Sequence, residues 1–127
     1  MLWIGQVAVV TLPAEIDVTN ADAIREELLA VLNQGAVLLV ADMSKTDFCD
    51  SSGVSALVRV FRRAVTGGTA MRLVVSTPAV LRVLSITGVD RLVEEYPSVA
   101  ASLAGPNGQA DQAWPDATAK ADTDGGG

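Results

Sequence analysis

Apolar positions follow two rhythms along this chain, and the rhythms alternate. Gln6–Leu12 is rich in β-branched residues, is closed by Pro13, and reads as a strand. Met1–Ile4 reads as a short antiparallel edge strand turned back at Gly5. Asp17–Asn20 is a loop, with Thr19 or Asn20 placed to cap the helix that follows. In that helix Ile24, Leu28, Val31 and Leu32 recur at helical spacing and make one apolar face. Asn33, Gln34 and Gly35 end it, with Gly35 suited to a left-handed cap.

Ala36–Ala41 is apolar without interruption, which fits a central strand covered on both faces. Helical spacing returns at Val54, Leu57, Val58, Phe61 and Val65. Arg59, Arg62 and Arg63 fall in the second half of that helix, where its dipole favours cations, and read as a solvated face. Gly67 and Gly68 stop it. Met71–Ser76 is a further strand, and Thr77-Pro78 gives the cap and first residue of a helix running to Ser85 or Ile86 and ending at Gly88. Val89–Glu95 is expected to hold a last short strand, and Pro97–Leu103 a final helical turn or two. Strand and helix alternate throughout, with no internal repeat. The prediction is an α/β layer fold: a mixed, mostly parallel sheet of four to five strands with about four helices.

Composition divides the chain. Residues 1–104 read as one domain, with a core of Val, Leu, Ile and Ala because aromatics are few. Residues 105–127 are dominated by Gly, Ala, Asp and other small or polar residues, and read as a disordered acidic tail. The formal charge is −6, and residues 1–103 carry 8 basic against 11 acidic side chains. No basic stripe is present for a phosphate backbone, so nucleic acid and anionic membranes are not expected partners. A single Cys excludes an internal disulfide and any multi-Cys metal site. The lack of His removes the commonest metal ligand and the usual general base near neutral pH. Neither a signal peptide nor a spanning segment is evident, so a cytoplasmic protein is expected.

Candidate chemistry concentrates at Asp50-Ser51-Ser52-Gly53, where a buried strand and a short loop lead into the second helix. By residue type alone, Ser51 and Ser52 read as helix caps, and Asp50 as a further capping carboxylate. Gly53 would give a partner's backbone close access. Cys49 beside them is a small hydrophobe or a redox-sensitive thiol. Glu15 and Asp17, two residues apart in a loop, shape that loop more readily than they form a catalytic pair.

Three segments together resemble the STAS domains, specifically the bacterial anti-sigma factor antagonists. They are Val9 to Ala21 with Glu15-Ile16-Asp17 at its centre, Asp42 to Gly53, and Ser85 to Leu92 with Thr87-Gly88. The resemblance covers about residues 6–103. Two departures stand out: Ala14 replaces the family's usual Gly, and the N-terminal strand is shorter than usual. The resemblance implies a binding protein rather than an enzyme, carrying no cofactor or metal of its own. It implies that Ser52 is the phosphorylation site, supported by Asp50, Ser51 and Gly53. Glu15, Asp17, Thr19, Asn20, Val54, Thr87 and Gly88 would meet the partner. That partner would be an anti-sigma factor that is also a serine kinase, with ATP and Mg²⁺ bound to the kinase. Binding would release a sigma factor, phosphorylation would end binding, and a serine phosphatase would restore it. The alternative is a STAS-type accessory subunit docking on a transporter or lipid-transport complex.

Overall fold

The run at Val7–Thr11 and the apolar run after Gly35 lie side by side as parallel strands. The computed structural model describes residues 1–104. Its elements in chain order are β1 (Leu2–Ile4), β2 (Val7–Thr11), β3 (Glu15–Ile16), α1 (Ala21–Asn33), β4 (Leu38–Asp42), β5 (Phe48–Cys49), α2 (Ser51–Thr66), β6 (Ala70–Val74), α3 (Pro78–Thr87), β7 (Glu94–Tyr96) and α4 (Val99–Leu103). The main sheet runs β1-β2-β4-β6-β7, antiparallel at its β1 edge and parallel elsewhere. It matches the expected mixed α/β layer. The tail expected at 105–127 lies outside the described residues.

Alternation along the three central strands splits the interior in two. Ala8, Val10, Leu39, Ala41, Met71 and Leu73 join the large cluster shared with Ile24, Leu28, Val31, Leu57, Val60 and Leu84 of the three long helices. Val9, Leu38, Val40 and Val74 face the other way, where Val99 and Leu103 of α4 pack on them. β4, in the middle, is buried along its whole length, as its unbroken apolar run requires.

Several local expectations shift. The buried face of α2 is Val54, Leu57, Val60 and Ala64, while Val65 is exposed. The last strand is only Glu94–Tyr96, because Val89–Arg91 winds into a 3₁₀ turn first. Asn20 stands at the cap position of α1 without capping it: its Oδ1 accepts from the Asp17 N–H and its Nδ2 donates to the Glu15 carbonyl. Asn20 therefore fixes the loop rather than the helix. Thr19 likewise turns to Asp17.

Arg72 is a cation on the second face of the sheet, buried to 2% exposure. Its Nη1 donates to the Ser102 carbonyl in α4. Its Nε lies 3.3 Å from Glu94 Oε1 without hydrogen-bond geometry, and its guanidinium sits 5.4 Å from the Tyr96 ring centre. One side chain thus ties β6 to β7 and to α4. Arg72→Ala should destabilise the domain by about 1–3 kcal/mol, since it leaves the buried Ser102 carbonyl without its donor. Chemical denaturation checks this, and a change below about 0.5 kcal/mol would show that α4 is held by apolar packing alone.

Candidate functional site

Parallel strands bring the loops after β2 and β4 to one edge of the sheet, and there the chain makes a second, smaller ladder. Glu15–Ile16 pairs in parallel with Phe48–Cys49. The Asp47 and Phe48 N–H groups donate to the Ala14 carbonyl at 2.9 and 3.2 Å, and the Asp50 N–H donates to the Ile16 carbonyl at 3.1 Å. Ala14 thus serves the ladder through its carbonyl. Below it, the fully buried Thr46 donates its hydroxyl to the Pro13 carbonyl at 2.8 Å. The Thr77 hydroxyl donates to the Thr46 carbonyl at 2.8 Å. The segment leading into α2 is therefore held by residues from two other loops.

Asp50 is the cap of α2. Its backbone is extended, and its Oδ1 accepts from the N–H of Ser52 at 2.9 Å and of Gly53 at 3.2 Å. Ser51 and Ser52 are the first two residues inside the helix, so neither serves as its cap. Ser51 is exposed and Ser52 half-buried.

Gly53 acts inwardly. A Cβ at this position would stand 2.6 Å from both Cys49 Sγ and Ile16 Cγ2. The residue is buried, so the access for a partner's backbone expected from the sequence gives way to internal packing. Cys49 is buried beside it. Desolvation first, and the Asp50 charge second, push its thiol up from 9.0 to about 11. That is the reverse of the depressed pKa and open position that a redox sensor needs, and the structure uses Cys49 as packing.

The residues expected to meet a partner separate into groups. Glu15, Asp17, Thr19 and Asn20 are brought beside the start of α2 by the small ladder. The Thr19 hydroxyl and N–H both donate to Asp17 Oδ1 and hold that carboxyl below its ordinary pKa. Val54 points into the core instead, at 9% exposure. Thr87 and Gly88 lie at the far end of α3, whose first turn is the end tethered to Thr46. Ten residues of helix carry them about 15 Å away, and the structure does not bring them to Ser52.

Two residues missed in the sequence flank the serines. Val18 is 75% exposed and Phe48 50%. Phe48 was legible in principle, since Cys49 points inward and neighbours on a strand alternate. Val18 carries no sequence signal beyond being apolar in a polar loop. A groove of about 440 Å³ opens beside the serines, between the first turns of α1 and α2, and both Val18 and Ser52 line it.

Comparison with known proteins places this geometry. The STAS domain family model matches residues 3–102. The anti-sigma-B factor antagonist of Bacillus subtilis is 28% identical over 85 residues, which cover 67% of this chain and 77% of that protein. The crystal structure of an anti-sigma factor antagonist from Mycobacterium paratuberculosis superposes with a TM-score of 0.75 at 27% identity, covering 81% of this chain and 87% of that one. The murine Solute Carrier 26 family member A9 anion transporter contains the same fold, with a TM-score of 0.67 at 23% identity over 80% of this chain and 18% of the transporter. The chain belongs to the STAS domain family.

Two measurements check the packing at the start of α2. Gly53→Ala should destabilise by about 1–3 kcal/mol, as overpacking does, with Ile16 and Cys49 forced to move. An unchanged denaturation midpoint would mean that the contact is slack. At pH 8 the native Cys49 thiol should react with a thiol reagent roughly a hundredfold more slowly than in the unfolded chain, from its thiolate fraction alone. Equal rates would return Cys49 to the reactive class.

Proposed function

We propose that this STAS domain is an anti-sigma factor antagonist: it binds an anti-sigma factor, so freeing a sigma factor, and phosphorylation at Ser52 switches it off. The partner is a serine kinase that brings its own ATP and Mg²⁺, and a serine phosphatase resets the cycle. The observation that carries this reading is the division of labour at the start of α2. Asp50 makes the cap, so the Ser52 hydroxyl is not needed to hold the helix and stands on the same edge as the Glu15–Asn20 loop. The 28% identical relative bears the name of an antagonist, which supports the same assignment.

The physics of the switch is local. A phosphate adds about −1.5 to −2 charges near neutral pH and three strong acceptor oxygens. Position 52 is the second residue of α2, where the dipole tolerates an anion, so the fold survives modification. The adjoining surface does not tolerate it in a docked state. Exposed Phe48 and Val18 suit apolar contact, while Glu15, Asp17 and Asp50 are already acidic. Covering a new dianion there, unpaired, costs more than such an interface gains. Any catalytic base and metal ligands for the transfer belong to the kinase.

The accessory-subunit alternative has the shared fold of the anion transporter behind it and nothing at the site. Among the described residues no helix is long and apolar enough to cross a membrane. Affinity capture from host lysate distinguishes the two readings. Wild-type protein and Ser52→Ala should retain an ATP-binding anti-sigma factor, Ser52→Glu should lose it at least tenfold, and Ser52→Ala should accept no phosphate from it. Phosphate incorporation unchanged in Ser52→Ala removes the site assignment. A transport subunit held equally by all three proteins replaces the antagonist reading.

A further inference from the structure

Asp50 already accepts from the N–H groups of Ser52 and Gly53, two of the helix-end donors beside Ser52. Its carboxylate also repels a second anion beside it. A phosphate on Ser52 therefore needs its countercharge elsewhere. The groove between α1 and α2 supplies one. Its walls carry two arginines, Arg25 from α1 and Arg59 from α2. Arg25 is engaged, with Nη1 3.0 Å from Asp22 Oδ1 and Nη2 3.4 Å from Glu26 Oε2. Arg59 is exposed and makes no ion pair among the described residues.

Ser52, Ser55 and Arg59 stand at i, i+3 and i+7 of α2, so they share one face, and all three line the groove. Arg59 starts about 10 Å further along the helix axis. Long side chains on a helix lean back toward its N-terminus, which carries the guanidinium toward Ser52. The Ser52 side chain tilts the same way, so the reach of the long Arg59 side chain closes the gap, and its planar guanidinium fork matches phosphate oxygens two at a time. Ser55, exposed between them, has a hydroxyl free to donate.

We infer that this groove is a dock for the phosphate carried by Ser52 itself, with Arg59 as the receiving cation and Ser55 as an accessory donor. The inference rests on Ser52 being the phosphorylated residue. It adds that the modified state is held by its own chain: the dianion is met on the groove side by Arg59. Arg59 is then a positioning residue, one that sets the direction and lifetime of the phosphate without taking part in its transfer.

The test uses the full chain with phosphoserine incorporated at position 52 during translation, titrated by ³¹P NMR in the folded state and in urea. In the folded wild type, the second phosphate ionisation should fall about half a unit or more below its value in Arg59→Gln, a shift set by one close cation. Arg59→Lys should keep part of the depression, and Arg62→Gln, on the same helix but outside the groove, should leave it intact. The dock is overturned if wild type and Arg59→Gln titrate together, or if Arg62→Gln shifts the phosphate as much as Arg59→Gln does. A thermal melt of each variant confirms that it is folded. Because no kinase is involved, this answer stands apart from the phosphorylation reading, which fails separately if Ser52 recovered from cells under all conditions is unmodified.

Discussion

The first turn of α2 can descend onto Ile16 and Cys49 only because residue 53 has no side chain. The rest of the site follows from that contact. With α2 seated there, Asp50 is left in the extended conformation from which its carboxylate reaches back to two N–H groups. Ser51 and Ser52 are then carried into the helix, with their hydroxyls released from capping. The same contact closes the short β3–β5 ladder over the core, so the Glu15–Asn20 loop and the serines form one continuous edge. A methyl group at residue 53 would press on all of these at once.

Most of the frame was legible because it is written in long periodic segments. The strand at Val7–Thr11, the unbroken run that became β4, the helical face of α1 and the Thr77-Pro78 start of α3 each carry their own signal over several residues. What escaped is short or non-local. β3 and β5 have two residues each, too few for a period, and they exist because distant loops meet at the sheet edge. Nothing in the sequence marks Thr46, yet it is fully buried and bonded to two other loops. The face of α2 was rotated slightly in the reading, since Val58, Phe61 and Val65 outweighed the smaller Val60 and Ala64 that fit beneath the helix. Thr87 and Gly88 were joined to the site by resemblance, whereas an antiparallel helix return carries them to the opposite edge.

Electrostatics separates the start of α2 from the groove beside it. At the helix start one carboxylate already takes the N–H groups of Ser52 and Gly53. The groove next to it holds Arg59, which makes no ion pair among the described residues. A charge added at Ser52 would alter this surface while leaving the interior alone. The buried thiol at Cys49 and the buried guanidinium at Arg72 are by contrast fixed parts of the frame, each held by neighbours that leave it no freedom to signal.

The hydroxyl bonds through Thr46 have a further consequence, for the time at which the site comes into being. Pro13 and Thr46 are 33 residues apart, and Thr46 and Thr77 are 31 apart. A chain emerging from the ribosome presents Ser52 well before it presents Thr77, the residue that pins the entrance to α2 from below. The Thr77–Thr46 bond can form only once the chain has been made past β6. The last of the bonds that hold the entrance to α2 therefore waits on a residue made 25 positions after Ser52.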